Sequence, residues 1–207
     1  MSASRDEPPL RVAARVHATD VEGPWRRYAL WVQGCTIRCP GCCNPEMFTA
    51  AGGEALDVRA LVAEIETARQ RHAIDGITVL GGEPLEQIAG VTALARAVAS
   101  RGLGVIVFTG FTEAGARALP GFPELWAELD TLVAGPFDRT RLEAPHGRRF
   151  IGSSNQVLAH RTSRYADASL WTGPRLAEVH VDRAGGLRIL GAPEAAAPLL
   201  RSLRRRG

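Results

Sequence analysis

The residues best suited to chemistry in this sequence are its four cysteines, which all lie between positions 35 and 43. Cys35, Cys39 and Cys42 form a C-x3-C-x2-C pattern, and Cys43 follows directly. Cysteines serve in disulfides, zinc sites, redox exchange and iron–sulfur clusters, so the spacing has to distinguish these uses. Because three thiolates on one loop can wrap a small cluster, the spacing favours an iron–sulfur cluster.

The other uses of cysteine fit this spacing less well. A structural zinc site needs four ligands, usually from two spaced pairs, and the sequence has no second C-x2-C or C-x-x-H pair. A thioredoxin-like motif would use only Cys39 and Cys42, which leaves Cys35 unexplained. Neighbouring side chains point in different directions, so we expect Cys43 not to be a ligand. A four-iron cluster with three cysteine ligands then keeps one iron free to bind a small molecule.

The segments that must position these thiols alternate between strand and helix from residue 28 to residue 135. Apolar runs predict strands at 28–32, 77–80, 103–108 and 129–134. Asp57 and Thr112 are expected to cap two of the intervening helices. This alternation is typical of a parallel sheet, in which ligands bind at the carboxyl ends of the strands. The cysteine loop, GGEP, TGF and AGPFD follow these strands, so we expect the four segments to converge.

We therefore expect an α/β fold, a partial (β/α) barrel with a mostly parallel sheet, followed by a C-terminal β-hairpin. The hairpin strands are predicted at 178–182 and 187–190, with a turn at 184–186. Residues 136–175 read as loop. The expected divisions are an N-terminal segment with the first strand (1–19), a core domain (20–165), and the hairpin with a basic tail (166–207).

Composition narrows the possible classes of protein. The chain has 207 residues, of which 45% are hydrophobic and 23% charged, as in ordinary globular proteins. No apolar run reaches the length of a membrane span, and residues 1–10 lack the apolar core of a signal peptide. The net charge is only +3, and nothing resembles a nucleic-acid-binding module. We expect a cytoplasmic protein without a membrane or nucleic-acid partner.

The pairing of C-x3-C-x2-C with GGEP, each at the end of a strand, resembles the radical S-adenosylmethionine superfamily. The resemblance implies that Cys35, Cys39 and Cys42 hold a [4Fe-4S] cluster whose open iron binds the amino and carboxylate groups of S-adenosylmethionine. Further expected contacts are Gly81, Gly82, Glu83 and Pro84 with the methionine amino group, Gly41 and Cys43 with adenine, Thr109 and Gly110 with the ribose, and Asn155 with the nucleoside or the target.

A narrower resemblance covers about residues 20–165. WVQGC, TVLGGEPLEQ, FTGF, LVAGPFD and GSSNQ are similar to segments of the anaerobic ribonucleotide reductase activating proteins. That family implies reductive cleavage of S-adenosylmethionine to a 5′-deoxyadenosyl radical, which removes hydrogen from a glycine Cα of a glycyl radical enzyme. A flavodoxin or ferredoxin-type protein would donate the electron. Trp25 departs from the pattern, since such proteins commonly have another glycine after Gly23-Pro24.

Two other functions stay open at this point. A radical S-adenosylmethionine biosynthetic enzyme would use the same core on a peptide or small metabolite, and the C-terminal hairpin would supply a different substrate wall. A non-catalytic iron–sulfur electron carrier would need only the cysteines. GGEP argues against a carrier, because a carrier needs no seat for methionine.

Overall fold

A seven-stranded sheet is the centre of the fold. The computed structural model describes residues 8–181 and 186–204, and all that follows concerns those residues. The strands are β1 (Leu10–Thr19), β2 (Arg27–Val32), β3 (Glu54–Leu56), β4 (Gly76–Gly81), β5 (Gly104–Thr109), β6 (Thr131–Ala134) and β7 (Val157–His160). Their order across the sheet is β3-β1-β2-β4-β5-β6-β7.

The middle of this sheet is parallel, as the alternation of strands and helices predicts. β2 pairs with β4, β4 with β5 and β5 with β6, all in parallel. The connections contain α1 (Val58–His72), α2 (Ile88–Ala99), α3 (Glu113–Arg117) and α4 (Phe122–Glu128). Every residue of β2 and β6 is buried, because both faces of the sheet are covered. The mostly parallel α/β sheet is thus confirmed, whereas β3 and β7 stand at opposite edges and a barrel is not confirmed.

Capping residues begin two of the helices where the sequence predicts them. The Asp57 carboxylate accepts hydrogen bonds from the backbone N–H groups of Arg59 and Ala60 at the start of α1. The Thr112 hydroxyl accepts one from Gly115 N–H at the start of α3. These contacts satisfy N–H groups that have no partner within the helix.

Several short elements are absent from the sequence predictions. β7 lies in the 136–175 region that reads as loop, and it pairs antiparallel with β6. β3 pairs antiparallel with β1, and α4 precedes β6. Strands of three or four residues carry too little periodicity to be recognised alone, because pairing with a neighbour stabilises them.

The C-terminal part contains the expected hairpin, formed by β8 (Ala177–Val181) and β9 (Leu187–Gly191). Most of the predicted turn at 184–186 lies outside the described residues. A helix, α5 (Pro193–Arg204), occupies most of what the sequence indicates as a basic tail, since alanine and leucine favour helix there. The last three residues of that tail also lie outside the described part. No helix among the described residues has both the length and the hydropathy to cross a lipid bilayer.

The two faces of the sheet are covered differently. The helices pack on one face, where Leu61, Leu94 and Leu125 are fully or almost fully buried. On the other face, segment 150–171 packs Tyr165 and Trp171 against β5 and β6. The strand ends on this second face open into the cavity described below.

A fully buried arginine joins the sheet to this covering segment. Arg27, at the start of β2, is 0% exposed. Its guanidinium donates hydrogen bonds to Thr78 Oγ1 at 2.6 Å, to the Tyr165 hydroxyl at 2.8 Å, and to the carbonyls of Pro24 and Gly104 at 3.2 Å. Burial lowers the pKa of Arg27, and these acceptors compensate the buried charge.

Candidate functional site

A cavity of about 870 Å³ opens at the carboxyl ends of the parallel strands. All four segments that the sequence predicts to converge contribute to its wall: Cys35, Cys39, Gly41, Cys42 and Cys43 after β2, Gly81, Gly82 and Glu83 at the end of β4, Thr109 and Gly110 at the end of β5, and Gly135 and Phe137 after β6. Residues from the 142–156 connection and from the C-terminal segment form the rest of the wall.

Short backbone contacts close the cysteine loop. Gly34 N–H donates to Met47 O at 3.0 Å, and Cys42 N–H donates to Cys39 O at 3.1 Å. Gly41 has a φ of +81°, which a glycine adopts without strain and which turns the chain between the second and third thiols. Glu86 holds the first part of the loop, because its Oε1 accepts from both the N–H and the hydroxyl of Thr36.

The donor set fits an iron–sulfur cluster. Cys35, Cys39 and Cys42 are half-buried in the cavity wall. Backbone N–H groups surround their sulfur atoms: those of Ile37 and Arg38 at Cys35, that of Phe137 at Cys39, and that of Asn44 at Cys42. Such donors stabilise thiolates and tune clusters. The described residues contain no group of three or more metal-binding side chains arranged around a single ion. A [4Fe-4S] cluster holds its cysteine ligands farther apart than a single ion does, because each thiolate binds a different iron atom.

Cys43 does not point away from Cys42, contrary to the sequence interpretation. The Cys43 thiol donates a hydrogen bond to the Cys42 sulfur, which lowers the pKa of Cys42 to about 6 and raises the pKa of Cys43. Burial raises the pKa of both Cys35 and Cys39. Adjacent side chains diverge in an extended strand, but the turn at this position is not extended, so the two thiols meet.

Glu83 is committed to the protein itself. It is 1% exposed, and its carboxylate accepts hydrogen bonds from Leu85 N–H at 2.9 Å, the Thr109 hydroxyl at 2.7 Å and Gly110 N–H at 2.8 Å. Burial raises its pKa to about 7, although these hydrogen bonds act in the opposite direction. In the structure this carboxylate joins the end of β4 to the end of β5, and its contact with the methionine amino group stays a prediction. The Thr109 hydroxyl donates its only hydrogen to Glu83 in this contact.

The two glycines before Glu83 approach protein backbone. Gly81 has a φ of +105°, and a Cβ there would lie 2.6 Å from Trp31 Cα. A Cβ on Gly82 would lie 2.1 Å from Gly34 O. Pro84 is buried outside the cavity wall. Contact of this glycine pair with the methionine amino group stays a prediction. In the structure the nearest neighbours of the pair are β2 and the start of the cysteine loop.

Asn155 lies behind the wall, and its neighbour Gln156 lines the cavity instead. Asn155 Nδ2 donates to Pro136 O at 2.7 Å, and its Oδ1 is buried without a hydrogen-bond partner among the described residues. Gln156 accepts from the N–H groups of Gly152 and Ser153. Contact of Asn155 with the nucleoside or the target stays a prediction.

Several wall residues have no counterpart in the sequence analysis. Glu22 lines the cavity and accepts from Gly191 N–H at 2.7 Å, and burial raises its pKa to about 7. Arg175 and Glu194 line it as well. These residues carry no spacing signal, because each reaches the cavity only through the packing of distant segments.

Comparison with known proteins gives the family. Residues 21–159 match the family model described as a 4Fe-4S single cluster domain. The pyruvate formate-lyase 1-activating enzyme of Escherichia coli strain K12 is 29% identical over 166 residues, which cover 76% of this chain and 63% of that enzyme. The anaerobic ribonucleoside-triphosphate reductase-activating protein of Enterobacteria phage T4 is 27% identical over 154 residues, which cover 72% of this chain and 93% of that protein.

The chain thus spans 63% of the length of its Escherichia coli relative. The resemblance to activating proteins and the iron–sulfur prediction are both confirmed. Since the match takes in all four cysteines and most of the chain, this protein belongs to the family of 4Fe-4S single cluster domains.

Proposed function

We propose that this protein is a radical S-adenosylmethionine enzyme that activates a glycyl radical enzyme. The observation that carries the proposal is that the three spaced thiols and the ends of β4 and β5 line the same cavity. Both kinds of relative are named as activating proteins, one for pyruvate formate-lyase and one for anaerobic ribonucleoside-triphosphate reductase. The alignment covers 93% of the phage protein, so we take the reductase as the target.

In this proposal Cys35, Cys39 and Cys42 hold the [4Fe-4S] cluster, and Cys43 remains a non-ligand. When bound and reduced, the cluster supplies the electron that breaks the C5′–S bond of S-adenosylmethionine, giving methionine and a 5′-deoxyadenosyl radical. A flavodoxin or ferredoxin-type donor provides that electron.

The remaining wall residues orient S-adenosylmethionine and exclude water. We assign the backbone of Gly81 and Gly82 to the methionine group, Gly41 and Cys43 to the adenine, and Gly110 to the ribose. Glu83 fixes these segments relative to one another through its hydrogen bonds to Thr109 and Gly110. We interpret the sheet as a partial (β/α) barrel whose cavity holds both the cluster and S-adenosylmethionine.

One observation favours a second candidate, a biosynthetic radical enzyme acting on a peptide or small metabolite. Arg175, Leu176 and Glu194 of the C-terminal segment line the cavity, so this segment contributes to the space in which a reactant must fit. An enclosed small substrate would use such a wall.

The test starts from protein that is reconstituted with iron and sulfide under anaerobic conditions and then reduced. With S-adenosylmethionine we expect 5′-deoxyadenosine and methionine, measured by chromatography. With the anaerobic reductase added, we expect the electron paramagnetic resonance signal of a glycyl radical. Absence of 5′-deoxyadenosine from fully loaded protein would refute the enzyme and favour an electron carrier. Cleavage without a glycyl signal from either the reductase or pyruvate formate-lyase would favour the biosynthetic enzyme.

A further inference from the structure

The cavity contains an arginine that the protein leaves uncompensated. Two arginines line the wall, Arg149 and Arg175. Arg175 Nε lies 2.6 Å from Glu194 Oε1, and the lining carboxylate of Glu143 is 2.6 Å from the guanidinium of Arg148. Within the described part of the chain, Arg149 forms no ion pair, and its Nε is buried without a hydrogen-bond partner. A buried donor without a partner is costly unless a ligand supplies the acceptor.

The guanidinium of Arg149 is already oriented. Its Cζ lies 4.3 Å from the centre of the Phe150 ring, in a cation–π contact. A guanidinium in such a contact can still present its N–H edge to a ligand. That edge is a rigid planar fork, which matches the two oxygens of a carboxylate.

The backbone beside Arg149 is strained and held in place. Phe150 has a φ of +69°, which is unfavourable for a bulky side chain. Its ring meets the buried Trp171 edge-on at 6.1 Å, and Arg149 N–H donates to Trp171 O at 2.7 Å. Strain that the surrounding packing maintains is frequent where a side chain must be aimed at a ligand.

We propose that Arg149 is the receptor for a carboxylate group inside the cavity. The inference rests on the proposed function for its two candidate ligands, the carboxylate of S-adenosylmethionine and a carboxylate of the target enzyme. Either would supply acceptors to the guanidinium, whose Nε is buried without a partner, and a charged hydrogen bond to a buried atom is strong.

The experiment compares Arg149→Gln with Arg141→Gln in reconstituted holoprotein. Arg141 is an exposed arginine of the same segment between β6 and β7, and it does not line the cavity. Both variants replace arginine by glutamine and therefore lose the same charge. One arm measures the affinity for S-adenosylmethionine and for decarboxylated S-adenosylmethionine by equilibrium dialysis. The other arm measures the rate of glycyl radical formation against reductase concentration. We expect Arg149→Gln to lose about tenfold or more in one arm.

The arms identify the source of the carboxylate. Weaker binding of S-adenosylmethionine, with unchanged binding of the decarboxylated compound, assigns Arg149 to S-adenosylmethionine. An unchanged affinity for S-adenosylmethionine with a raised KM for the reductase assigns Arg149 to the target enzyme. Equal behaviour of the two glutamine variants in both arms overturns the inference. Wild-type protein that fails to cleave S-adenosylmethionine refutes the proposed function, while dialysis, which needs no turnover, still tests Arg149. Arg149→Lys keeps the charge without the planar fork, so its loss should lie between those of wild type and Arg149→Gln. This variant keeps the inference testable if Arg149→Gln impairs folding.

Discussion

Among single residues, Cys43 differs from the other three thiols in its surroundings. It is exposed, and its thiol donates a hydrogen bond to Cys42. The sulfur atoms of Cys35, Cys39 and Cys42 have backbone N–H donors from other residues. Such donors stabilise a thiolate ligand, whereas the hydrogen bond to Cys42 raises the pKa of Cys43 and so favours its thiol form.

We therefore predict that only three of the four alanine substitutions remove the cluster. Cys35→Ala, Cys39→Ala and Cys42→Ala each delete a ligand, so iron and sulfide content after anaerobic reconstitution is expected to fall to near background. Cys43→Ala is expected to retain wild-type iron content. An equal loss of iron in all four variants would refute the ligand assignment.

The residue Trp25 shows how far a motif can be interpreted from sequence. Its φ of +59° lies in the region that glycine adopts without strain, which explains why glycine is common after Gly23-Pro24 in the resembling family. Packing of its ring on Tyr165, with centroids 5.2 Å apart, compensates part of that cost. Tyr165 is far away in the sequence, so this compensation could not be predicted.

At the scale of elements, the segment after β4 positions the cysteine loop. Glu83 bonds to the end of β5, Glu86 to Thr36 of the loop, and Gln87 donates to Gln33 O at 2.9 Å at the end of β2. Glu86 and Gln87 belong to the short 3-10 helix Pro84–Gln87, which precedes α2. Their contacts show that the same residues also connect the two motifs.

Gly82→Ala is expected to disturb this connection, because its Cβ would lie 2.1 Å from Gly34 O. We predict a destabilisation of about 1–3 kcal/mol, as for other overpacked sites, measured by thermal unfolding. Iron content should fall as well, since Gly34 directly precedes Cys35.

The matched control is Gly102→Ala. Gly102 has a φ of +79° and no atom within 4 Å of its Cβ position, so alanine there strains only the backbone. Its stability should fall while its iron content stays at the wild-type level. A normal iron content in Gly82→Ala would show that β4 does not control the cysteine loop.

The sequence predicts those elements whose causes are local. The buried strands β2, β4 and β5 are continuous apolar runs, and the caps at Asp57 and Thr112 act within three residues. The convergence of four loops follows from parallel pairing alone. In contrast, β7 exists through its pairing with β6, and the C-terminal wall of the cavity depends on contacts such as Gly191 with Glu22 across most of the chain. Such contacts leave no periodicity to read.

For the whole molecule, Arg27 connects three neighbouring strands of the sheet with the segment that covers one of its faces. Its hydrogen bonds reach β4, the start of β5 and Tyr165. Removing it leaves several buried acceptors without donors, and each such group is costly.

We predict that Arg27→Met lowers the free energy of unfolding by about 3 kcal/mol or more, measured by equilibrium urea denaturation. Arg26→Met is the control, because Arg26 is exposed and pairs with the exposed Asp20 at the surface. Its unfolding midpoint should stay close to that of the wild type. Similar midpoints for the two variants would contradict the role assigned to Arg27.

The antiparallel direction of β7 has a consequence for how such a protein diversifies. Ala134 at the end of β6 pairs with Val157 at the start of β7, so the chain leaves the mouth of the cavity and must return to it. Insertions or deletions in the part of this excursion beyond Phe137 would reshape the entrance while the strands keep their places. Related proteins can therefore accept new reactants through changes in this one segment, while the chemistry at the strand ends stays the same.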